Sequence, residues 1–341
     1  MMKVISVYDA VGSVLCHDMT RIVPGEYKGP AFKKGHVVTA DDIPHLLSIG
    51  KEHIYVLSLD DNQLHENDAA ERMGKAAAGP GITLSSISEG RINFIAERGL
   101  LRVNVEAVNA INAIEEVALG TMHTNQFIAD SRIVAGTRVV PLVVDENKVA
   151  EVERLCAEHF PVISVDPLKH HKVGVITTGS EIYHGRIKDK FGPVLRDKFA
   201  ALGSTVIDQR FVDDTQEMAV AAIKDFLAEG AEMIVLTGGM SVDPDDQTPS
   251  SIRASGAEII TYGAPTFPGV MFMLGYIGDV PIMGLPGCVM YYRASIFDLV
   301  VPRLLTGERL KRSDITVFGH GGFCASCAEC RYPICPFGKS M

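Results

Sequence analysis

The sequence predicts an α/β fold, with a mostly parallel sheet carrying helices on both faces, joined to a mixed α+β N-terminal region. Three observations predict it. From residue 172 onward, short aliphatic runs alternate with amphipathic stretches, the order of strand–helix–strand units. Those runs end in glycines, prolines or paired carboxylates, as strand-to-helix corners do. Before residue 169 the runs are shorter, are interrupted by Gly and Pro, and lose that alternation. The chain of 341 residues is long enough for two or three domains. The expected segments are an N-terminal region 1–80, a mixed middle region 81–168, the α/β domain 169–310 and a cysteine-rich tail 311–341.

In the first region, Val23-Pro24-Gly25 and Lys28-Gly29-Pro30 read as turns. Thr39 with Asp42 three residues on caps a short helix that ends at Gly50, and Ile54-Tyr55-Val56-Leu57 follows as a strand. Residues 68–78 have helical spacing, broken by Ala78-Gly79-Pro80-Gly81. Residues 105–117 predict another helix. Val139-Val140-Pro141-Leu142-Val143-Val144 predicts an apolar strand whose proline favours an edge or a bulge.

The α/β domain begins with a buried strand at Val173-Gly174-Val175-Ile176-Thr177. A helix near Gly192-Pro193 carries Leu195, Phe199 and Leu202 on one face and stops at Gly203. A strand at 205–207 leads to Asp213-Asp214, and a helix follows over 216–228. Further strands are expected at 233–236, 259–261 and 281–285, with a last helix over 290–304. No short internal repeat is present.

Lys plus Arg number 32 against 42 Asp plus Glu, a formal charge of −10, so the chain lacks the basic footprint of a nucleic-acid binder. No run approaches the roughly 18 apolar residues of a membrane span. The N-terminus meets Asp9 too early for a secretory h-region, so the sequence reads as cytoplasmic, with reduced cysteines.

The chemistry gathers where the strands end. Thr178-Gly179-Ser180-Glu181, Asp213-Asp214, Thr237-Gly238-Gly239-Met240-Ser241 and Pro286-Gly287 each follow an apolar run. In such sheets ligands bind beyond the carboxyl ends of the strands. Glycines there let amide groups approach an anion, and carboxylates suit Mg2+ held partly by phosphate oxygens. Each piece also has a plainer reading. Thr178 to Glu181 can be a simple turn, Asp214 a helix cap in Asp214-Thr215-Gln216-Glu217, Asp243-Pro244-Asp245-Asp246 a solvated turn, and Pro286-Gly287 a corner. Cys288 suits a buried small residue better than a nucleophile.

Together, Thr177-Thr178-Gly179-Ser180-Glu181, then Thr237-Gly238-Gly239-Met240-Ser241-Val242 with Asp243, Asp245 and Asp246, then Gly284-Leu285-Pro286-Gly287 resemble the molybdopterin-binding domain. That domain is shared by molybdopterin molybdenumtransferases, molybdopterin adenylyltransferases and gephyrin, and the resemblance covers about residues 170–305. It implies that Thr178, Gly179, Ser180, Asp189, Asp214, Gly238, Gly239, Ser241, Pro286 and Gly287 bind molybdopterin or its adenylylated form. It implies Glu181, Asp213 and Asp246 as the catalytic carboxylates, and Asp243 with Asp246 at a Mg2+ ion. Val11-Gly12-Ser13-Val14-Leu15 and 35–50 resemble pieces of the molybdenumtransferase N-terminal region, although its Ser-x-Met-Asp-Gly-Tyr-Ala signature is absent. Where molybdenumtransferases place two lysines around a Pro-Gly, this chain has Phe267 and Val270, and no lysine occurs from residue 225 to residue 310. The resemblance therefore implies either a molybdenumtransferase, acting on molybdopterin and molybdate, or a non-catalytic cofactor carrier that serves a molybdoenzyme apoprotein. A homodimer is expected, as relatives with this domain oligomerise.

The tail carries Cys324-x2-Cys327-x2-Cys330-x4-Cys335-Pro336. Four thiolates within twelve residues suit Zn2+ or an iron–sulfur cluster, with His320 as an alternative ligand. An iron–sulfur redox or sensing protein is the third functional reading.

Overall fold

The computed structural model describes residues 2–23, 27–57, 62–243 and 246–339, and it divides the chain into two compact units. The first comprises residues 1–97, 103–122 and 130–164, and the second comprises residues 98–102, 123–129 and 165–341.

In the first unit, strands Met2–Ser6 and His53–Leu57 pair antiparallel. Met19–Val23 pairs with Tyr27–Phe32 in a second ribbon. The expected turn at Lys28-Gly29-Pro30 lies inside that ribbon, where an edge position tolerates a residue without an N–H. Pro24 and Gly25 of the other expected turn lie outside the described residues. Val7, Leu15, Met19, Phe32, Leu46 and Ile54 form the local core. The Thr39 signal opens a 3-10 turn, Ala40–Asp42, that runs into helix Ile43–Ser48.

At that turn the Asp42 carboxylate accepts from the Thr39 amide and hydroxyl, both at 2.8 Å, and lies 2.7 Å from the His36 ring. Partial desolvation works against ionisation of Asp42. The His36 and Thr39 hydrogen bonds outweigh it and hold the carboxyl at about 2. A carboxyl depressed in the folded state stabilises above its unfolded value near 4 and loses that contribution as pH falls toward 2. Asp42→Asn should therefore lower the urea midpoint at pH 6 and leave it nearly unchanged at pH 2. An equal loss at both pH values would sink this account.

The rest of the first unit is a four-stranded antiparallel sheet of Ile82–Leu84, Arg91–Ala96, Arg132–Val139 and Val117–Thr121, lying side by side in that order. Helices Glu66–Ala77 and Glu146–Glu158 belong to the same unit, with Arg72 bonded to both Glu146 and Glu153. The helix expected over 105–117 stops at Asn112, because Val117 is already in a strand. The apolar run 139–144 is split between Arg132–Val139 and Val143–Asp145, with Pro141 in the gap.

The second unit holds the predicted sheet. Its strands are β1 (Lys172–Thr178), β2 (Thr205–Val212), β3 (Met233–Thr237), β4 (Glu258–Tyr262), β5 (Met273–Ile277) and β6 (Val280–Leu285). They lie in the order β2-β1-β3-β6-β5-β4, parallel throughout except for β5. Successive residues point to opposite faces, so the aliphatic runs supply two cores at once. Val173, Val175, Met233, Val235 and Met283 meet helices α1 (Phe191–Ala201) and α4 (Ile296–Leu305) on one side. Ile176, Ile234, Leu236 and Ile282 meet α2 (Gln216–Ala228) and α3 (Thr248–Ala254) on the other. Gly174 is required here, since a Cβ would stand 2.6 Å from the Phe226 ring. The helix expected over 290–304 is two pieces, Cys288–Tyr291 and α4, because Ser295 and Asp298 form a capping box that starts α4 afresh. Among the described residues, no helix is long and apolar enough to cross a membrane.

Candidate functional site

Register places the motifs together. Thr178 is paired with Val212, Thr177 with Thr237, and Thr237 with Leu285, so β2, β1, β3 and β6 end level with one another. The segments beyond them are 213–214, 179–181, 238–241 and 286–287. Asp213-Asp214, Gly179-Ser180-Glu181, Gly238-Gly239 and Pro286-Gly287 therefore open from four neighbouring strand ends.

Two of these loops touch through their backbones. Gly238, at φ +82°, lies so close to β1 that a Cβ would stand 2.1 Å from the Thr178 carbonyl oxygen. A Cβ on Gly239, at φ +51°, would reach the hydroxyls of Thr178 and Thr248 at 3.0 and 3.1 Å. Thr248 secures the contact by donating to the Gly238 carbonyl at 2.9 Å. Met240, next in the glycine loop, packs on β6, its sulfur standing 2.6 Å from where a Cβ on Gly284 would be. Glycine is needed at Gly238 for its left-handed backbone and for the approach alike.

The first loop is tied to the end of β2 as well. The Asp214 carboxylate accepts from the Ser180 amide at 2.8 Å, and Gly179 donates to the Val212 carbonyl at 3.3 Å. The N-cap of α2 falls on Thr215 instead of Asp214. Asp213 lies 3.4 Å from the His184 ring. Glu181 is exposed in the four-residue helix Ser180–Tyr183, and its carboxyl folds back to within 3.3 Å of where a Gly179 Cβ would be.

Asp189 opens α1. Its two oxygens accept from the amides of Phe191 and Gly192, each at 2.9 Å, and from the Gln209 amide at 2.7 Å. Gln209 also donates to the Thr177 hydroxyl at 3.0 Å, and Thr237 donates to the same oxygen at 3.2 Å. This Asp189–Gln209–Thr177–Thr237 chain runs beneath the loops and fixes the start of α1 against β2, β1 and β3. Residue-by-residue reading missed Gln209 and Thr248, because a lone Gln in an edge strand and a Thr before a Pro carry no local signal.

Ser241 and Asp243 are exposed beyond the glycine pair. Asp246 closes its own turn, its carboxylate accepting from the Asp243 amide at 3.1 Å. Pro244 and Asp245 lie outside the described residues. Among the described residues, no group of three or more His, Cys, Asp or Glu side chains is placed to hold a metal ion. A hard cation at these strand ends would take most of its oxygens from a phosphorylated ligand. Cys288 starts a short helix beside Gly287, and burial pushes its thiol up, away from the thiolate.

Phe267 and Val270, on either side of Pro268-Gly269, are half-exposed and border a cavity of about 420 Å3 with Pro286, Cys288 and Tyr292. The tail closes its far side. Phe267 donates to the Gly322 carbonyl at 2.7 Å and Cys324 donates to the Phe267 carbonyl at 2.8 Å, a parallel bridge that brings the Phe267 and Phe323 rings to 6.1 Å. The tail is packed onto its unit, with Phe318 and Phe337 in the core.

Residues 174–306 match the family model described as a probable molybdopterin binding domain, and residues 4–58 match a domain of unknown function. Among curated proteins, a CinA-like protein of Mycobacterium sp. (strain JLS) is 32% identical over 90 residues, 26% of this chain and 21% of that protein. A molybdenum cofactor biosynthesis bifunctional protein of Synechococcus elongatus is 31% identical over 83 residues, covering 24% of this chain and 26% of that protein. A molybdopterin molybdenumtransferase of Staphylococcus aureus (strain COL) is 27% identical over 130 residues, 36% of this chain and 31% of that protein. The chain thus spans between about a fifth and a third of the length of these relatives. Among solved structures, the molybdopterin biosynthesis enzyme MoaB of Thermus thermophilus aligns with 41% of this chain and 99% of its own, at 21% identity and a TM-score of 0.34.

Proposed function

We propose that this chain, whose residues 174–306 are a domain of the molybdopterin-binding family, binds molybdopterin or its adenylylated form in molybdenum cofactor biosynthesis. The observation that carries the reading is the contact of Gly238 with the Thr178 carbonyl, which joins two amide-rich loops into one cradle. Backbone N–H groups at such corners suit a phosphate, which carries no sequence-specific demand beyond close approach. In this reading Ser180, Gly239, Ser241 and Gly287 receive the phosphorylated pterin. Glu181, Asp213 and Asp246 are assigned, on the resemblance of their motifs, to orient Mg2+ through the phosphate oxygens of the ligand.

Retention of the cofactor is favoured over molybdate insertion by the region of Phe267 and Val270. An ammonium group there would be a compact donor to an oxyanion, whereas two apolar side chains offer none. Molybdenumtransferase activity is the second reading, supported by the acidic loops. A homodimer and delivery to a molybdoenzyme apoprotein accompany the first.

The test is to purify the full chain anaerobically, oxidise it and read the released pterin by fluorescence, then supply adenylylated molybdopterin, molybdate and Mg2+. Retained pterin without turnover is the expected outcome; turnover would move the assignment to the transferase. Glu181→Ala and Asp246→Ala should each weaken pterin binding about tenfold, the worth of one charged contact. Unchanged retention in both variants would remove the carboxylates from the site.

A further inference from the structure

The four tail cysteines surround one space. Cys324, Cys327, Cys330 and Cys335 all border a cavity of about 340 Å3, which is also lined by residues 291–294, from the end of helix Cys288–Tyr291 toward α4. All four are free thiols. The peptide that carries them is anchored on several sides. Cys324 donates its N–H to the Phe267 carbonyl, Gln126 donates to the Pro333 carbonyl at 2.9 Å, Tyr332 donates to the Asp298 carbonyl at 3.0 Å, and Gly338 donates to the Gly321 carbonyl at 3.0 Å. Phe337 is buried in the core two residues beyond Cys335.

We propose that this cavity is the site of a [4Fe–4S] cluster ligated by Cys324, Cys327, Cys330 and Cys335. Two features separate a cluster from a single zinc ion. Zinc draws four sulfurs to about 2.3 Å from one centre, hence to within about 4 Å of each other. Among the described residues no group of three or more Cys, His, Asp or Glu is drawn together to hold a single metal ion, although all four cysteines border the same cavity. A cubane holds its cysteine sulfurs at the outer corners of an iron–sulfide core, and so calls for cysteines around a cavity rather than at one point. The second feature is charge. The four thiols lose four protons on ligation, and around a core of two ferric ions, two ferrous ions and four sulfides they leave a net charge of roughly −2. Arg293 and Arg331 border the same cavity and are placed to balance it. His320 is exposed and does not border the cavity, so the ligand set is all-cysteine.

The location gives the cluster a neighbour. Tyr292, Cys324 and Ser326 border this cavity and also the one that reaches Pro286 and Cys288. A cluster here would stand behind the wall of the proposed pterin cradle, in the place where the tail bridges Phe267.

The experiment uses the full chain, purified anaerobically or reconstituted with mixed ferric and ferrous salts and sulfide. About four iron and four acid-labile sulfide per chain, with broad visible absorption and an electron-paramagnetic signal on reduction, are expected. Cys327→Ser, at the most exposed of the four, should lose most of the iron while keeping the wild-type circular dichroism. Cys288→Ser, outside the set, should keep it. One tightly held zinc per chain with no uptake of iron and sulfide, an iron content independent of Cys327, or no metal at all would each overturn the proposal. Pterin content is read separately, so loss of the cluster and failure of the pterin assignment are distinguishable.

Discussion

Gly238→Ala is expected to abolish pterin retention and to lower the stability of the second unit. The comparison that isolates the cause is Gly203→Ala. Both glycines have a left-handed backbone, φ +82° at Gly238 and +84° at Gly203. A side chain at either pays the same conformational penalty, about 1 kcal/mol. Their surroundings differ: a Cβ at Gly203 meets nothing within 4 Å, whereas at Gly238 it would overlap the Thr178 carbonyl oxygen at 2.1 Å. That oxygen is main chain at the end of β1 and has no rotamer to yield. The loops must separate by roughly 1 Å to restore van der Waals contact, which also strains the Thr248 bond to the Gly238 carbonyl. A displacement of that size removes a cradle built from backbone amides, because amides aimed at an anion act only at hydrogen-bond distance. Gly203→Ala should therefore lose only about 1 kcal/mol in urea and keep its pterin. Gly238→Ala should lose more and release it. Equal pterin content in the two purified variants would show that the contact between the loops is irrelevant to binding.

Much of the second unit was legible because its strands are buried on both faces. Val173 to Ile176 and Met233 to Leu236 are runs without a polar or charged side chain, and each is short, so length separates strand from helix. The reversed strand Met273–Ile277 was not read, since it lies in one long apolar stretch that includes Met271 and Phe272. Its turn was nonetheless present as Gly278-Asp279 between the paired residues Ile277 and Val280. The break before α4 was hidden for a different reason. Apolar residues fall on both sides of Tyr292-Arg293-Ala294, and only the Ser295–Asp298 box marks a new start.

The candidate site divides the same way. Glycines at strand ends announce a loop, and their chain order carried the resemblance. The support beneath them did not show, because Gln209 acts through Asp189 and Thr177, which are near it only once β1 and β2 have paired. Asp189 itself was read as pocket-lining, yet two of its bonds go to the first amides of α1, so its position in the site follows from helix capping. The placement of the tail against Phe267 is a contact between distant segments, for which the cysteine spacing offers no hint.

The largest loss of stability from a single polar substitution is expected at Lys198. This lysine in α1 reaches the Asp298 carboxylate at 2.8 and 3.0 Å, with side chains only 16% and 18% exposed. Asp298 also accepts from the Ser295 amide at 2.8 Å as part of the cap of α4, and its own carbonyl receives the Tyr332 hydroxyl. One ion pair thus ties together the helix that Asp189 starts, the start of α4 and the cysteine-bearing tail. Burial pushes the Asp298 carboxyl above the usual range, while Lys198 and Ser295 pull against it. Lys198→Met keeps the aliphatic stem and the packing on Phe297 but leaves the carboxylate without its cation. Breaking such a pair costs about 3–5 kcal/mol, with the lower end expected where some water reaches the site. A carboxyl raised in the folded state favours folding below its unfolded pKa, and that advantage disappears as pH rises through the folded value. Removing the lysine raises the folded value further. The variant should accordingly lie much closer to wild type at pH 4.5 than at pH 8 when urea midpoints are compared. A loss that does not change across that range would mean that Lys198 stabilises the junction by packing rather than by charge.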